Sequence, residues 1–439
     1  MARQSPIQPL HHQAAALFLP YGPDAPTQPA DASNPAQPAP EPISMVGTYG
    51  ELELEYAAIR KGCLLLDLPH RAVIEVSGAD RLDFLNRMLT QELRPGKKWL
   101  EPFTAVGSFW LNRKGRIDAD LRVLILPDRV LLECDAHAAQ RAIDGLNAFI
   151  ITEEVTLHDL SQTTHRLALH GPTSLKLLAA ISAPVAGHAI ASLEPGQVSI
   201  IKLADVEVTA ERNDQTGEIG IDLICPTAGA RAIYELLLQR GFPHEHVHDR
   251  AAPHLSTELS ATIRLRPGGW HAFNIARIEG GTPLYYIDFG PSSLPAETGV
   301  INARVSFTKG CYLGQEVVAR MHARGHSKRQ LVALLAEAQT LHIHKPHHET
   351  SSQAEDPYLA GAVQPVSGAQ VLPLDAQATE SVGVITSSTL SPMNAATALC
   401  FAAIKNDLAT PGAQFRVFAE NELLTMTLQP TLRTLPART

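Results

Sequence analysis

The decapeptide FTKGCYLGQE, Phe307 to Glu316, sets a thiol two residues after a lysine and just ahead of a glycine, an amide and a carboxylate. Apolar periodicity selects no such order. Thiolate is the reactive form of cysteine, and a neighbouring cation or a helix N-terminus favours it. Lys309 supplies the cation, EVVARMHA after Gly314 reads as the start of a helix, and Gly310 and Gly314 allow a tight bend. Cys311 is therefore expected to be an accessible functional thiol with Lys309 beside it, against the alternative of a turn that merely packs. Cys63, Cys134, Cys225 and Cys400 read instead as small buried hydrophobes. Cys63 also follows Lys-Gly, but the LLLDL behind it is a plain buried strand.

Other polar groupings are less committed. The stretch ARMHARGHSKR places Arg320, Arg324, Lys328 and Arg329 where they could meet an anionic tail or phosphates, or simply form a solvated face. His342, His344, His347 and His348 could ligate a metal, although Pro346 and its polar surroundings suggest a mobile excursion with no rigid shell. His244, His246 and His248 fall in a similar connector. No metal site is assigned.

Composition narrows the classes. A chain of 439 residues is too long for one ordinary core and implies two or three domains. With 45% hydrophobic and 18% charged residues it has a soluble globular balance. A formal charge of −9 argues against strong direct nucleic-acid binding, and 5% aromatics against a stacking platform for single strands. No run of eighteen apolar residues is present, so no membrane role is expected. Five scattered cysteines without a C-x-x-C pair fit a reducing compartment, taken here as the cytoplasm. They also provide no local set of thiolates for an iron–sulfur cluster of the chain's own.

Certain elements must position these groups. Residues 1–44, dense in Pro and Ala from Tyr21 onward, are expected to be disordered, because they bury too little apolar surface to offset their ordering entropy. The apolar run AAALFLP within them is short and has little basic charge ahead of it, which argues against a secretory signal. Thereafter AVIEV reads as a strand and DRLDFLNRML as a helix with Leu82, Leu85 and Leu89 on one face. ADLRVLIL and VLLEC flank a Pro127-Asp128-Arg129 turn as a hairpin. Asp135 can cap a helix bearing Ala139, Ile143, Leu146 and Phe149. A second hairpin-then-helix unit, DVEVTAER and IGIDLIC with Ala230, Ile233 and Leu237, suggests a duplicated α+β architecture with antiparallel sheets. Beyond Lys328, short runs such as RQLVALLA, SVGVITSS and AQFRVFA separated by Gly, Pro and Ser read as a small all-β barrel or sandwich.

The segment K-G-C-Y-x-G-Q-E, Lys309 to Glu316, resembles the hallmark of the YgfZ-type folate-binding proteins. These are paralogues of the glycine-cleavage T-protein (aminomethyltransferase) and include iron–sulfur cluster assembly factors. Supporting matches are LNRKGRIDADL, ALHGP, TGEIGID, ARIEGGTPLYYIDF and LPAETG, spread over residues 47–430. The resemblance implies a T-protein-like ring: two α+β subdomains over residues 45–327 around a folate pocket, then a C-terminal β-barrel over 328–435. It implies tetrahydrofolate as ligand. The T-protein's catalytic aspartate corresponds to Asp120, in the segment that Asn112 opens. Its pterin-holding glutamate corresponds to Asp222, a shorter carboxylate that could still accept bidentately from a pterin edge. In AFNIARIE, Phe273 replaces the family's first arginine, whereas Arg277 and Glu279 remain. Loss of that guanidinium removes a cationic donor. The resemblance thus gives Cys311, Lys309 and Asp120 as the reactive residues and Asn112, Asp120, Asp222 and Arg277 as the folate-binding set.

The function so implied is support for the assembly or maintenance of iron–sulfur enzymes, including tRNA-modifying ones, with such enzymes or assembly factors as partners. Two alternatives remain open. One is a tetrahydrofolate-dependent aminomethyltransferase of glycine cleavage, and the other is a non-catalytic scaffold for cluster-carrying partners.

Overall fold

The computed structural model describes residues 3–22, 42–242, 261–324, 327–337, 363–375, 377, 380–420 and 422–435. Both histidine clusters of the sequence, residues 244–248 and 342–348, lie outside them.

Two α+β subdomains and a barrel make up the chain. The first is built on an antiparallel five-stranded sheet. Its strands, in spatial order, are Thr104–Leu111, Ile117–Ile125, Val130–Asp135, Arg71–Ser77 and Thr156–Asp159. The predicted hairpin turn at Pro127 to Arg129 joins two of them, and the Asp135 carboxylate accepts from the His137 N–H at 2.9 Å as the cap of the Ala136–Asn147 helix. That helix buries Ala139, Ile143 and Leu146, but ends before Phe149, which packs edge-on against Trp110 instead.

The second subdomain has a seven-stranded sheet. Five strands, Ala183–Gly187, Val198–Leu203, Val206–Arg212, Gly220–Pro226 and Thr164–His170, run antiparallel. The sheet is completed by Cys63–Asp67, antiparallel to Thr164–His170, and by the short Leu265–Pro267 strand, parallel to Cys63–Asp67. Ala230, Ile233 and Leu237 of the Ala230–Gly241 helix are buried against its outer face. The inner faces of the two sheets meet through Val73, Leu124, Leu131, Val198, Ile200 and Ile224.

The C-terminal strands close a six-stranded barrel in the order Arg329–Ala336, Thr397–Lys405, Gly383–Ser391, Gln370–Pro373, Gln414–Ala419 and Glu422–Leu428. Arg329–Ala336 pairs with both of its neighbours, so the barrel has no free edge. The Trp270–Gly280 helix lies between this barrel and the second sheet.

The N-terminus corrects an expectation. Residues 3–22 are not a loose tail: a Gln8–Gln13 helix is followed by a Leu17–Tyr21 strand that pairs antiparallel with Ile43–Thr48. Ile7 is fully buried in the second core, and His11, 1% exposed, hydrogen-bonds Asp67 at 2.9 Å. A few well-placed anchors suffice here, where average composition suggested none. The Pro/Ala-rich stretch 23–41 lies outside the described residues.

Candidate functional site

Strand alternation places Asp120, Arg122 and Leu124 on one face of the first sheet, the face that meets the second. There Arg122 grips Glu211 (Nε to Oε1, 2.8 Å). Alongside, Arg166 bridges Glu133 of the first sheet and Asp222 of the second, and Arg71 holds Glu133 through a second fork (Nη2 to Oε2, 2.8 Å). Three arginines and three carboxylates thus form a charge-balanced seam, with Glu133, Arg166, Glu211 and Asp222 all buried. Such a seam tolerates burial only while every charge keeps its partner.

Asp222 belongs to this seam, which changes its expected role. Burial pushes its carboxyl upward, but the Arg166 guanidinium, with His170 and the Asn213 amide, holds it below the ordinary range. Its Oδ2 is taken by Arg166 and by Asn213 (2.9 Å), while Oδ1 is buried without a partner. Bidentate capture of a pterin edge is therefore not available; one oxygen is. Next to it, His170 is fully buried with neither ring nitrogen hydrogen-bonded, and burial lowers it to about 4, so it is neutral near pH 7. Its ring packs 5.2 Å from that of Phe273, the residue standing where the family's arginine was expected.

Asp120 also has a cation. Arg304 reaches it (Nε to Oδ1, 2.8 Å) in a half-buried position. Arg304 went unnoticed in the sequence, as did Arg166 and His170, although His170 lies inside the ALHGP match.

Arg277 is fully buried, and its donors are committed. Nη1 pairs with Asp288 at 2.5 Å, Nε bonds Asn274 Oδ1 at 2.9 Å and Nη2 bonds Ser387 at 2.8 Å. Glu279 similarly accepts from Tyr56 (2.7 Å), Arg60 and Ser391 (2.5 Å each). These two residues bolt the Trp270–Gly280 helix to the barrel and to the helix Leu52–Lys61. Arg277 nevertheless forms part of the wall of a cleft of about 640 Å³, together with Tyr21, Trp270, Asn274, Tyr286 and Gln364. Neither Asp120 nor Asp222 lines this cleft. Tyr21, from the supposed tail, donates its hydroxyl to Asp135 and packs 4.7 Å from the His70 ring.

The K-G-C-Y-x-G-Q-E loop lies against the first subdomain. Gly314, at φ +80°, makes the tight turn before the predicted helix, which spans Gln315–Arg324. A Cβ at Gly314 would stand 2.9 Å from the Asn112 carbonyl, and one at Gly115 2.7 Å from Val317, so only glycines let the two motifs touch. Asn112 itself is committed to its own turn: Oδ1 accepts from the Lys114 N–H at 2.9 Å and Nδ2 donates to Asp118 at 3.0 Å. Cys311 is exposed, as expected, and the other four cysteines are buried. Lys309 is placed otherwise than expected. Its ammonium is 2.6 Å from the carbonyls of Asn86 and Leu89 and 2.9 Å from that of Gln91, at the C-terminal end of the Arg81–Met88 helix. Burial lowers it to about 8. It fastens the loop, its ammonium directed at those three carbonyls. Arg320, Lys328 and Arg329 are exposed and line neither this loop's anchor nor the cleft.

Among the described residues no cluster of three metal-ligating side chains occurs, and no helix is long and apolar enough to cross a membrane.

This architecture has known counterparts. Residues 45–258 match the GCVT N-terminal domain family. That match, with the relatives that follow, supports placing the chain in the T-protein superfamily. The aminomethyltransferase of Bacillus licheniformis is 26% identical over 287 residues, covering 65% of this chain and 71% of its own length. That of Halothermothrix orenii is 25% identical over 386 residues, covering 87% and 91%. Among solved structures, the glycine cleavage system aminomethyltransferase T from Bartonella henselae superposes with a TM-score of 0.72 at 20% identity, over 98% of this chain and 97% of that one. The last match shows that the chain has the T-protein fold.

Proposed function

We propose that this protein binds a reduced folate, tetrahydrofolate, between its two α+β subdomains and handles a one-carbon unit there, with aminomethyl transfer as the activity its relatives favour. The observation that carries the reading is the pair of carboxylates, Asp120 and Asp222, on the facing sheets. Asp222 keeps a buried oxygen with no partner beside the uncommitted imidazole of His170. Buried polar atoms without partners are rare in folded proteins, and they are the atoms a polar heterocycle would satisfy. Asp120 and Asp222 would hold the ligand. Arg277 and Asn112, whose groups are committed within the fold, would shape the site without touching it. Tetrahydrofolate would supply the nitrogen that accepts the one-carbon unit.

A second reading has its own observation. Cys311 is the one exposed cysteine of the five, on a loop fastened from below by Lys309. A YgfZ-type role in supporting iron–sulfur enzymes of the cytoplasm, with those enzymes or assembly factors as partners, would use that thiol.

Calorimetry with tetrahydrofolate tests the common part. Asp120→Asn should weaken binding by about 1.5–3 kcal/mol, the scale of a hydrogen bond to a charged group. No binding by the unaltered protein would overturn both readings' folate site. Two assays then separate them: turnover in a glycine-cleavage system with lipoyl carrier protein, and recovery of iron–sulfur enzyme activity in cells lacking the protein. Turnover abolished by Asp120→Asn supports transfer. Recovery abolished by Cys311→Ser, without turnover, supports the second reading.

A further inference from the structure

Asp120 has one side-chain partner among the described residues, Arg304, and Arg304 makes no other side-chain hydrogen bond there. The guanidinium occupies a berth that the first sheet leaves open. Gly107 lies two residues before Phe109, which stands opposite Asp120 in the sheet. A Cβ at Gly107 would overlap Arg304 Nη1 and stand 2.7 Å from its Cζ. Gly107 is extended strand backbone that any residue adopts, so what its missing side chain provides is room for the guanidinium.

The main chain of Arg304 is held from the other side. Its carbonyl accepts from Thr90 Oγ1 at 2.7 Å, and the Ser306 N–H donates to the Thr90 carbonyl at 3.0 Å. Thr90 is fully buried and bonds Phe109 as well, its N–H donating to the Phe109 carbonyl at 3.1 Å and its Oγ1 accepting from the Phe109 N–H at 2.9 Å. Lys309 closes the clasp. Its ammonium takes the carbonyls on both sides of Thr90, those of Leu89 at 2.6 Å and Gln91 at 2.9 Å. Residues 304–309 and 89–91 are thus pinned together at two points, and the strand beside them carries Phe109 against Asp120.

We propose that Arg304 is the positioning residue of Asp120, and that the lysine of the K-G-C-Y loop acts on the ligand site by holding Arg304 in place. The inference rests on the proposed function, since Asp120 is the carboxylate which that reading gives to the folate. A strand backbone alone leaves a carboxylate free to turn about its χ bonds. Arg304 removes that freedom through a charge-assisted bond to Oδ1. Oδ2, which takes no hydrogen bond among the described residues, is then the oxygen presented to the ligand. Lys309 never touches Asp120. Its part is to stop the segment that carries Arg304 from sliding past Thr90, in the way a supporting shell fixes a reactive group.

The test uses the full chain and two readouts, tetrahydrofolate affinity by calorimetry and the ¹³C resonance of the Asp120 carboxyl, assigned by its loss in Asp120→Asn. Gly107→Ala is the central variant, because it displaces a flexible guanidinium and leaves both charged residues in the chain. It should keep the melting temperature, shift the carboxyl resonance and weaken folate binding about tenfold. Lys309→Met should do the same to resonance and affinity. Thr90→Val, which keeps the side-chain shape and loses the bond to the Arg304 carbonyl, is measured beside it in case Lys309→Met does not fold. In the Asp120→Asn background none of the three should weaken binding further, whereas a merely structural role would give equal losses with and without the carboxylate and overturn the proposal. Affinity within about twofold of the unaltered protein in Gly107→Ala overturns the role of Arg304, and the same result in both Lys309→Met and Thr90→Val overturns that of Lys309. If folate binds and neither readout responds to Gly107→Ala, the positioning fails alone. If the unaltered protein binds no folate, the folate reading fails and the resonance decides: a shift in Gly107→Ala and Lys309→Met upholds the positioning, and an unmoved resonance ends it.

Discussion

The tripeptide Lys-Gly-Cys occurs twice, at residues 61–63 and 309–311, and the fold turns the two copies inside out. In the first, Lys61 is exposed while Cys63 opens a strand and is fully buried, its thiol 3.4 Å from the Ser174 hydroxyl. Burial pushes that thiol up to about 12. In the second, Lys309 is buried under three carbonyls and Cys311 faces solvent. The glycines differ as well. A Cβ at Gly62 would meet the Arg264 carbonyl oxygen at 2.7 Å, whereas nothing lies within 4 Å of one at Gly310. Three identical residues therefore carry no fixed environment. What decides is the element that follows, an apolar strand that must pair on both sides in one case, and a turn into a surface helix in the other.

The comparison can be broken from either end. The largest effect should come from Lys309→Met, which leaves three carbonyls without their ammonium and should cost about 3 kcal/mol in chemical denaturation, whereas Lys61→Met should stay within about 0.5 kcal/mol. Equal costs at the two lysines would remove the inversion. Next comes Asp67, at the end of the strand that Cys63 opens. Burial raises its carboxyl, but His11 and His165 more than offset this and hold it far below the unfolded value of about 3.9. A folded-state value so depressed means its contribution is complete above about pH 4 and lost as pH falls further. Asp67→Asn should accordingly cost about 2 kcal/mol at pH 7 and progressively less in acid; a difference constant from pH 6 to about 3 would show that the histidine grip contributes nothing.

The glycines give a smaller, sharper contrast. Gly62→Ala should destabilise by about 1–2 kcal/mol through overpacking against backbone, and Gly310→Ala by less than about 0.5 kcal/mol. The thiols come last. Cys63→Ser should cost about 1 kcal/mol for a buried hydroxyl, while Cys311→Ser should leave the denaturation midpoint nearly unchanged. In the native protein an alkylating reagent should modify Cys311 alone; labelling of Cys63 at a similar rate without unfolding would contradict the placement of both.

Local signals in the sequence were sufficient for local structure. Asp135 as a cap, the Pro127–Arg129 turn and the helix after Gly314 each depend on neighbours within a few positions, and each is where the pattern puts it. Partnerships set by topology were not legible. Lys309 reads as a companion of Cys311 because they are two residues apart, yet its ammonium binds a carbonyl 220 residues away. Asp222 reads as a free carboxylate until Thr164–His170 brings Arg166 against it. The N-terminal residues were misjudged for a related reason. Their average composition is that of a tail, but Ile7 and His11 find partners that only the completed second subdomain presents.

The Leu265–Pro267 strand has a practical consequence. It lies parallel to Cys63–Asp67, with Leu265 opposite Cys63, and covers that strand's outer edge. The family match ends at residue 258, before this strand is made. A chain trimmed to those homology boundaries would present the backbone of CLLLD, an apolar strand buried along its whole length in the intact protein, as an open template. Such a fragment should pair with copies of itself rather than remain monomeric, so the boundary that sequence similarity suggests for recombinant expression is a poor one for solubility.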